Sequence, residues 1–187
     1  MIYILTGMAK SGKSLIAKEV LRLHQIPYFS TDYFMMSLAL ANPTLGVDYH
    51  DDDQVVAKAL EPYLHAMIKV MVQNKLVYLL EGVHFNPDFS ATLLKEFPTD
   101  ISILYLGYAN AVVSDKVNEL RKYAPVMENC WFQTFNDEQM NKLVEFMIMD
   151  SKRVQKSCKE LSLPYMEVTN IAVQMDRIIR ELMGKAT

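Results

Sequence analysis

Gly7-Met8-Ala9-Lys10-Ser11-Gly12-Lys13-Ser14 is a complete G-x-x-x-x-G-K-S, and the residues ahead of it, Ile2-Tyr3-Ile4-Leu5-Thr6, read as a buried β-strand. The residues behind it, with Leu15, Ile16, Val20, Leu21 and Leu23 at helical spacing, read as an amphipathic helix. A strand, a glycine loop and a helix in that order form a phosphate-binding loop. Gly7 and Gly12 permit backbone torsions and close approaches that a Cβ blocks, so successive N–H groups can face one concavity. The helix adds its free N–H groups and the positive end of its dipole. In such a loop Lys13 reaches the β- and γ-phosphates of a nucleotide and Ser14 Oγ takes one place on Mg²⁺. Ser11 belongs to the same cradle. Lys10 is either a further cation for phosphate or a solvated loop lysine.

The 187 residues suffice for one domain with a substantial core. An apolar content of 51% with 22% charged residues is that of a soluble globular protein. A net charge of −3 provides no basic field for a nucleic acid, so none is expected as a partner. Cys130 and Cys158 are too few for a disulfide scaffold and have no metal-ligand partners in spacing, which fits a reducing compartment. No charged segment precedes an apolar one at the N-terminus, and no run of about eighteen apolar residues occurs, so neither a signal peptide nor a membrane span is expected. The location read from these features is cytoplasmic. Most of the thirteen methionines fall at helical spacing and read as core filling.

Short apolar runs alternate with longer segments of helical period, the pattern of an α/β protein with a mainly parallel sheet. Strands are expected at Ile2–Thr6, Pro27–Ser30, Leu76–Glu81, Ile101–Gly107 and Tyr165–Thr169. Helices are expected at Ser14–His24, Tyr33–Ala41, Asp53–Gln73, Asn110–Lys122, Asn136–Leu161 and Ile171–Met183, with Asn136 and Asn170 as caps. No repeat or linker divides the chain, so residues 1–187 form a single domain in this reading.

These residues resemble the P-loop small-molecule kinases, a group that includes adenylate, shikimate and gluconate kinases. The phosphate loop, Ser30-Thr31-Asp32 after the second strand and Leu79-Leu80-Glu81-Gly82-Val83-His84 after the third match in order. The Glu-Gly-Val-His string followed by Pro87 looks most like 2-phosphoglycerate-kinase-like and zeta-toxin-like members. The resemblance implies a three-layer P-loop NTPase fold, with a five-stranded parallel sheet of order 2-3-1-4-5. It implies a substrate arm at about residues 31–52 and a helical lid at about 108–136. It implies ATP and Mg²⁺ as cofactors and a small-molecule hydroxyl as acceptor. A nucleotide-binding regulatory protein or a degenerate kinase with little turnover is the alternative.

Sites in an open parallel sheet lie beyond the carboxyl ends of the strands, where Gly7, Asp32 and Glu81 converge. Asp32 reads as the base or acceptor-orienting group, or else as a cap for Tyr33–Ala41. Glu81 binds Mg²⁺ through water or holds the acceptor, unless it is only a surface carboxylate at a strand end. His84 contacts acceptor or phosphate, or is structural. In the lid, Lys116, Arg121 and Lys122 are the cations, and Arg121 is the candidate for phosphate or adenine contact because guanidinium suits stacking and bidentate binding. The substrate arm departs from members that take phosphorylated acceptors. Asp32 is followed by Tyr33-Phe34-Met35-Met36 with no arginine, and Asp48, Asp51, Asp52 and Asp53 follow. The acceptor expected from this is an uncharged or cationic hydroxyl compound.

Overall fold

The computed structural model describes residues 1–126 and 130–184. Its central sheet consists of β1 (Ile2–Gly7), β2 (Tyr28–Ser30), β3 (Tyr78–Glu81), β4 (Ile101–Gly107) and β5 (Tyr165–Glu167), all parallel, in the order β2-β3-β1-β4-β5. All five expected strands form, several of them shorter than expected, in the expected order. β1 and β4 are buried along their whole length because helices cover both faces, which is why they read as unbroken apolar runs rather than alternating ones.

Helices α1 (Lys13–His24) and α7 (Ile171–Met183) cover one face, where Tyr3, Leu5, Leu79, Leu104 and Leu106 meet Ile16, Val20, Ile178 and Leu182. On the other face Ile2, Ile4, Leu80, Ile103 and Tyr105 meet α3 (Asp53–Gln73), α4 (Pro87–Glu96) and α6 (Asp137–Glu160). Helix α2 (Thr31–Ala41) and a short 3-10 turn, Pro43–Leu45, form the arm between β2 and α3, and α5 (Val113–Tyr123) opens the segment between β4 and α6. Asn136 and Gln139 form a reciprocal capping box on α6, and the Asn170 side chain accepts from the Val173 N–H at the start of α7. Helix α4 is absent from the sequence reading. Its ten residues start on Pro87 and bury only Phe89, Ser90 and Leu93, too short a stripe to stand out from a loop.

Parallel strands joined by right-handed crossovers put every strand's carboxyl end, and the start of each following helix, on one edge of the sheet. That edge carries the phosphate loop, the first turn of α2, the Glu81–His84 corner and the first turn of α3. No helix among the described residues is long and apolar enough to cross a membrane.

Candidate active site

Two glycines fix the phosphate loop. Gly7, the last residue of β1, has φ of 107°, and a Cβ there would lie 2.1 Å from the Leu106 carbonyl oxygen on β4. Gly12 has φ of 91° and caps α1, and its Cβ would lie 2.7 Å from the Ile171 side chain. Only glycine tolerates both demands. The loop curls around Lys13, whose Nζ donates to Met8 O at 2.6 Å and to Gly7 O at 3.4 Å. Burial pulls the Lys13 pKa below the ordinary lysine value, against the opposing pull of Glu81, Asp32 and Asp53. Ser11 is buried, and its Oγ has no hydrogen-bond partner among the described residues. A buried hydroxyl without a partner is costly, and one inside a phosphate loop is what a bound phosphate oxygen would satisfy.

Glu81 ends β3 and is buried, with Ser14 Oγ donating to its Oε1 at 3.2 Å across the crevice. The pair expected to serve Mg²⁺ is thus already in contact. Mg²⁺ usually takes one or two protein oxygens and fills its remaining positions with phosphate and water, so a hydroxyl and one carboxylate beside the loop fit it.

The second carboxylate comes from α2. Ser30 has extended torsions at the N-cap, Thr31 is fully buried, and Asp32 follows in the first turn with its side chain 60% exposed. Thr31 Oγ1 and His84 Nδ1 share a 2.7 Å hydrogen bond, and the same ring nitrogen lies 3.8 Å from Asp32 Oδ1. Gly82 makes this crossing possible, since a Cβ there would come within 1.8 Å of Thr31 Oγ1. His84 therefore sits buried behind Asp32 rather than on the open wall. Burial lowers its pKa to about 4, against the attraction of Asp32 and with the repulsion of Lys13, so the ring is neutral at pH 7.

Asp53 is one of the four arm aspartates, and the structure sets it apart from Asp48 and Asp52. Within that cluster the Asp52 side chain caps α3 by accepting from Gln54 N, and Asp48 accepts from His50 N. Asp53, one residue inside the helix, accepts no hydrogen bond among the described residues and faces the electrostatic field of Lys13 and Asp32. It is exposed to solvent, yet the surrounding protein strips enough water to raise its pKa, with Lys13 opposing and Asp52, Asp32 and Asp150 adding to the rise. Two adjacent aspartates before a helix cannot both be the cap. That was the available signal. From residue 23 to residue 57 the chain contains no lysine or arginine, so the stretch that carries Asp32 and Asp53 brings no permanent cation of its own.

Among the cations of the expected lid the structure separates Lys116 from Arg121. Lys116 is buried on α5, with its Nζ 4.2 Å from the centre of the Tyr108 ring and 3.4 Å from Lys10 O. Arg121, in the last turn of α5, donates to Asp137 Oδ1 at 2.6 Å and to Phe135 O at 3.3 Å, tying α5 to the start of α6. There it lines a cavity of about 170 Å³ with Phe132, Gln133 and Met140. Lys10 has a left-handed backbone, φ 56°, and its ammonium lies 5.7 Å from the Phe132 ring centre. Residues 127–129 of the expected lid lie outside the described residues.

The molecule matches a gluconokinase from Sinorhizobium meliloti 1021 over 99% of this chain and 90% of that one, with a TM-score of 0.56 at 15% identity. It matches a shikimate kinase from Bacteroides thetaiotaomicron over 98% and 97%, with a TM-score of 0.60 at 12% identity. The fold is that of the P-loop small-molecule kinases. A sugar kinase from Janibacter sp. HTCC2649 also matches, over 99% and 95%, with a TM-score of 0.57 at 11% identity. No protein-family model matches the chain, and no curated protein matches it in sequence. The likeness is therefore one of backbone, and the chemistry has to be argued from the side chains of this molecule.

Proposed function

We propose that the protein is a kinase that transfers the γ-phosphoryl group of ATP, with Mg²⁺, to a hydroxyl of a small molecule. The observation that carries this reading is the meeting, at one edge of the sheet, of a phosphate loop wrapped around Lys13 with two carboxylates in different states, Glu81 at the end of β3 buried on Ser14 and Asp32 in the first turn of α2 open. When bound, MgATP supplies the transferable phosphoryl group and the divalent charge that screens it. Gly7 to Ser14 would hold its phosphates, Lys10 and Lys13 would neutralise them, and Ser14 with Glu81 would hold the metal. Asp32 orients the acceptor hydroxyl and takes its proton as the oxygen attacks phosphorus, the usual division of labour in a reaction whose catalysis is mostly alignment and charge. Neutral His84 and Thr31 fix the backbone and field behind Asp32. Glu81, already engaged by Ser14, is the poorer base of the two.

The acceptor is an uncharged or cationic alcohol. Phosphate-bearing acceptors entering a wall with no lysine or arginine, facing Asp32 and Asp53, lose hydration without gaining charge-assisted partners. The two free cysteines, Cys130 and Cys158, fit the reducing cytoplasm. A pool of non-phosphorylated and phosphorylated hydroxyl compounds, incubated with the protein and MgATP and read by mass spectrometry, tests the reading. The expected result is a gain of one phosphoryl group on members of the first set. Transfer confined to nucleoside monophosphates or 2-phosphoglycerate would overturn the acceptor class, and no transfer to any acceptor beside measurable ATP binding would favour a nucleotide-binding regulator.

A further inference from the structure

The phosphate loop is gripped from the lid as well as from its own helix. Tyr108, just beyond β4 and almost wholly buried, donates its hydroxyl to Ala9 O at 2.7 Å, while its own N–H donates to Ser151 Oγ on α6 at 2.9 Å. Four residues into α5, Lys116 lays its ammonium on the face of that tyrosine and within 3.4 Å of the next loop carbonyl, Lys10 O. The same ammonium donates to Glu119 Oε2 at 3.0 Å. A lysine buried to this degree needs partners for its charge, and it takes a ring face, one carboxylate and the loop backbone. Of its two hydrogen bonds, the one to Lys10 O is the longer and the easier to exchange.

A loop that cradles phosphate has to turn its N–H groups inward and keep its carbonyls out, because a carbonyl facing the phosphate repels it. Ala9 and Lys10 are the loop residues whose carbonyls the lid captures, and Lys10 is also the non-glycine loop residue held in the left-handed region. That conformation costs about 1 kcal/mol or more unless neighbouring contacts impose it.

We propose that Lys116 is a positioning residue that, together with Tyr108, clasps the lid onto the carbonyls of Ala9 and Lys10 and so holds the phosphate loop in its nucleotide-binding form. The inference rests on the reading of the loop as a nucleotide site. Glu119 competes with the loop for the same ammonium, so Lys116 and Glu119 act on nucleotide affinity in opposite directions.

Calorimetric titration of the full chain with MgATP and MgADP tests this, with thermal unfolding of each nucleotide-free variant measured alongside. Lys116→Met is expected to weaken MgATP binding about tenfold, and Lys116→Arg to restore most of it, since a guanidinium can also stack on the ring and bond the carbonyl. Tyr108→Phe keeps the ring but loses the bond to Ala9 O, and is expected to weaken binding about threefold, the scale of one neutral hydrogen bond. Glu119→Gln is expected to tighten binding about twofold by releasing the ammonium to the loop. If Lys116 and Glu119 were only a structural ion pair, their variants would weaken binding together and in step with lost stability. That result, or wild-type affinity in both Lys116→Met and Tyr108→Phe, would overturn the proposal. Should Lys116→Met fail to fold, the paired signs of Tyr108→Phe and Glu119→Gln decide it. Wild-type protein that binds neither nucleotide would overturn the nucleotide-site reading and this inference with it.

Discussion

Around the phosphate loop polar side chains other than Ser11 are held by protein partners: Lys13 by Met8 O, Ser14 by Glu81, Tyr108 by Ala9 O and Lys116 by Lys10 O. Across the crevice Asp32 and Asp53 stand open to solvent, and neither carboxylate accepts a hydrogen bond among the described residues. On the function proposed above, the two sides are built differently because they would answer to different ligands. A triphosphate is recognised by backbone amides, so its site is shaped by torsions and close contacts and exists in advance. An acceptor is recognised by side chains, and on that reading Asp32 and Asp53 are left for it to engage.

If that division is right, removing Lys13 strikes both the loop and its ligand. Lys13→Ala is expected to lower turnover at least about 10³-fold and weaken MgATP binding, with the nucleotide-free protein still folded. Steady-state kinetics, calorimetry and circular dichroism separate the three effects, and unchanged turnover would remove the loop from the mechanism. Substitution on the open side should leave the loop alone. Asp32→Asn is expected to cut kcat roughly 10²-fold while the Kd for MgATP stays near wild type, the signature of a lost proton acceptor. A wild-type kcat would reduce Asp32 to a residue of the first turn of α2.

Asp53 sharpens the comparison further, since it lies where the two sides meet. Asp53→Asn is expected to raise KM about 3- to 10-fold for an amine-bearing alcohol and to leave KM for a neutral alcohol little changed. An equal effect on both acceptors would mean that Asp53 acts through Lys13 or α3 instead. The smallest effect concerns stability. His84 has a folded pKa of about 4 against an ordinary value of 6.5, so below pH 6.5 the unfolded chain takes up a proton that the folded protein refuses. The stability contributed by the neutral ring is therefore complete above pH 6.5 and lost progressively as pH falls towards 4. Thermal melts at pH 7 and pH 5 should show a larger fall for wild type than for His84→Gln, by a few °C at this chain length. Parallel falls would mean that His84 does not titrate in this way.

The same division decided what was legible in the sequence. The loop could be read because Gly7 and Gly12 stand where the backbone leaves no room, and the spacing of glycine, lysine and serine records that geometry directly. The strands could be read because β1 and β4 are covered on both faces. Helix α4 could not, because ten residues with a proline start and three buried positions look like a loop. On the acceptor side the residue types were visible but their assignments were not. Asp52 and Asp53 are chemically identical, and only the phase of α3 makes one a cap and leaves the other facing Lys13. His84 was legible as a candidate, yet its place behind Asp32 depends on Gly82 letting Thr31 cross. Lys116 and Arg121 read alike as cations of the expected lid, whereas in the structure Lys116 packs on Tyr108 and a loop carbonyl and Arg121 pairs with Asp137.

The central claim is that one crevice joins a preformed triphosphate site to an open acceptor site, and following the γ-phosphoryl group of labelled ATP tests it most directly. Wild-type protein with Mg²⁺ and a mixture of neutral and amine-bearing alcohols should place the label on an acceptor oxygen, and Asp32→Asn should bind the same ATP while transferring the label roughly 10²-fold more slowly. Label released only as inorganic phosphate, at equal rates in the two proteins, would contradict the account.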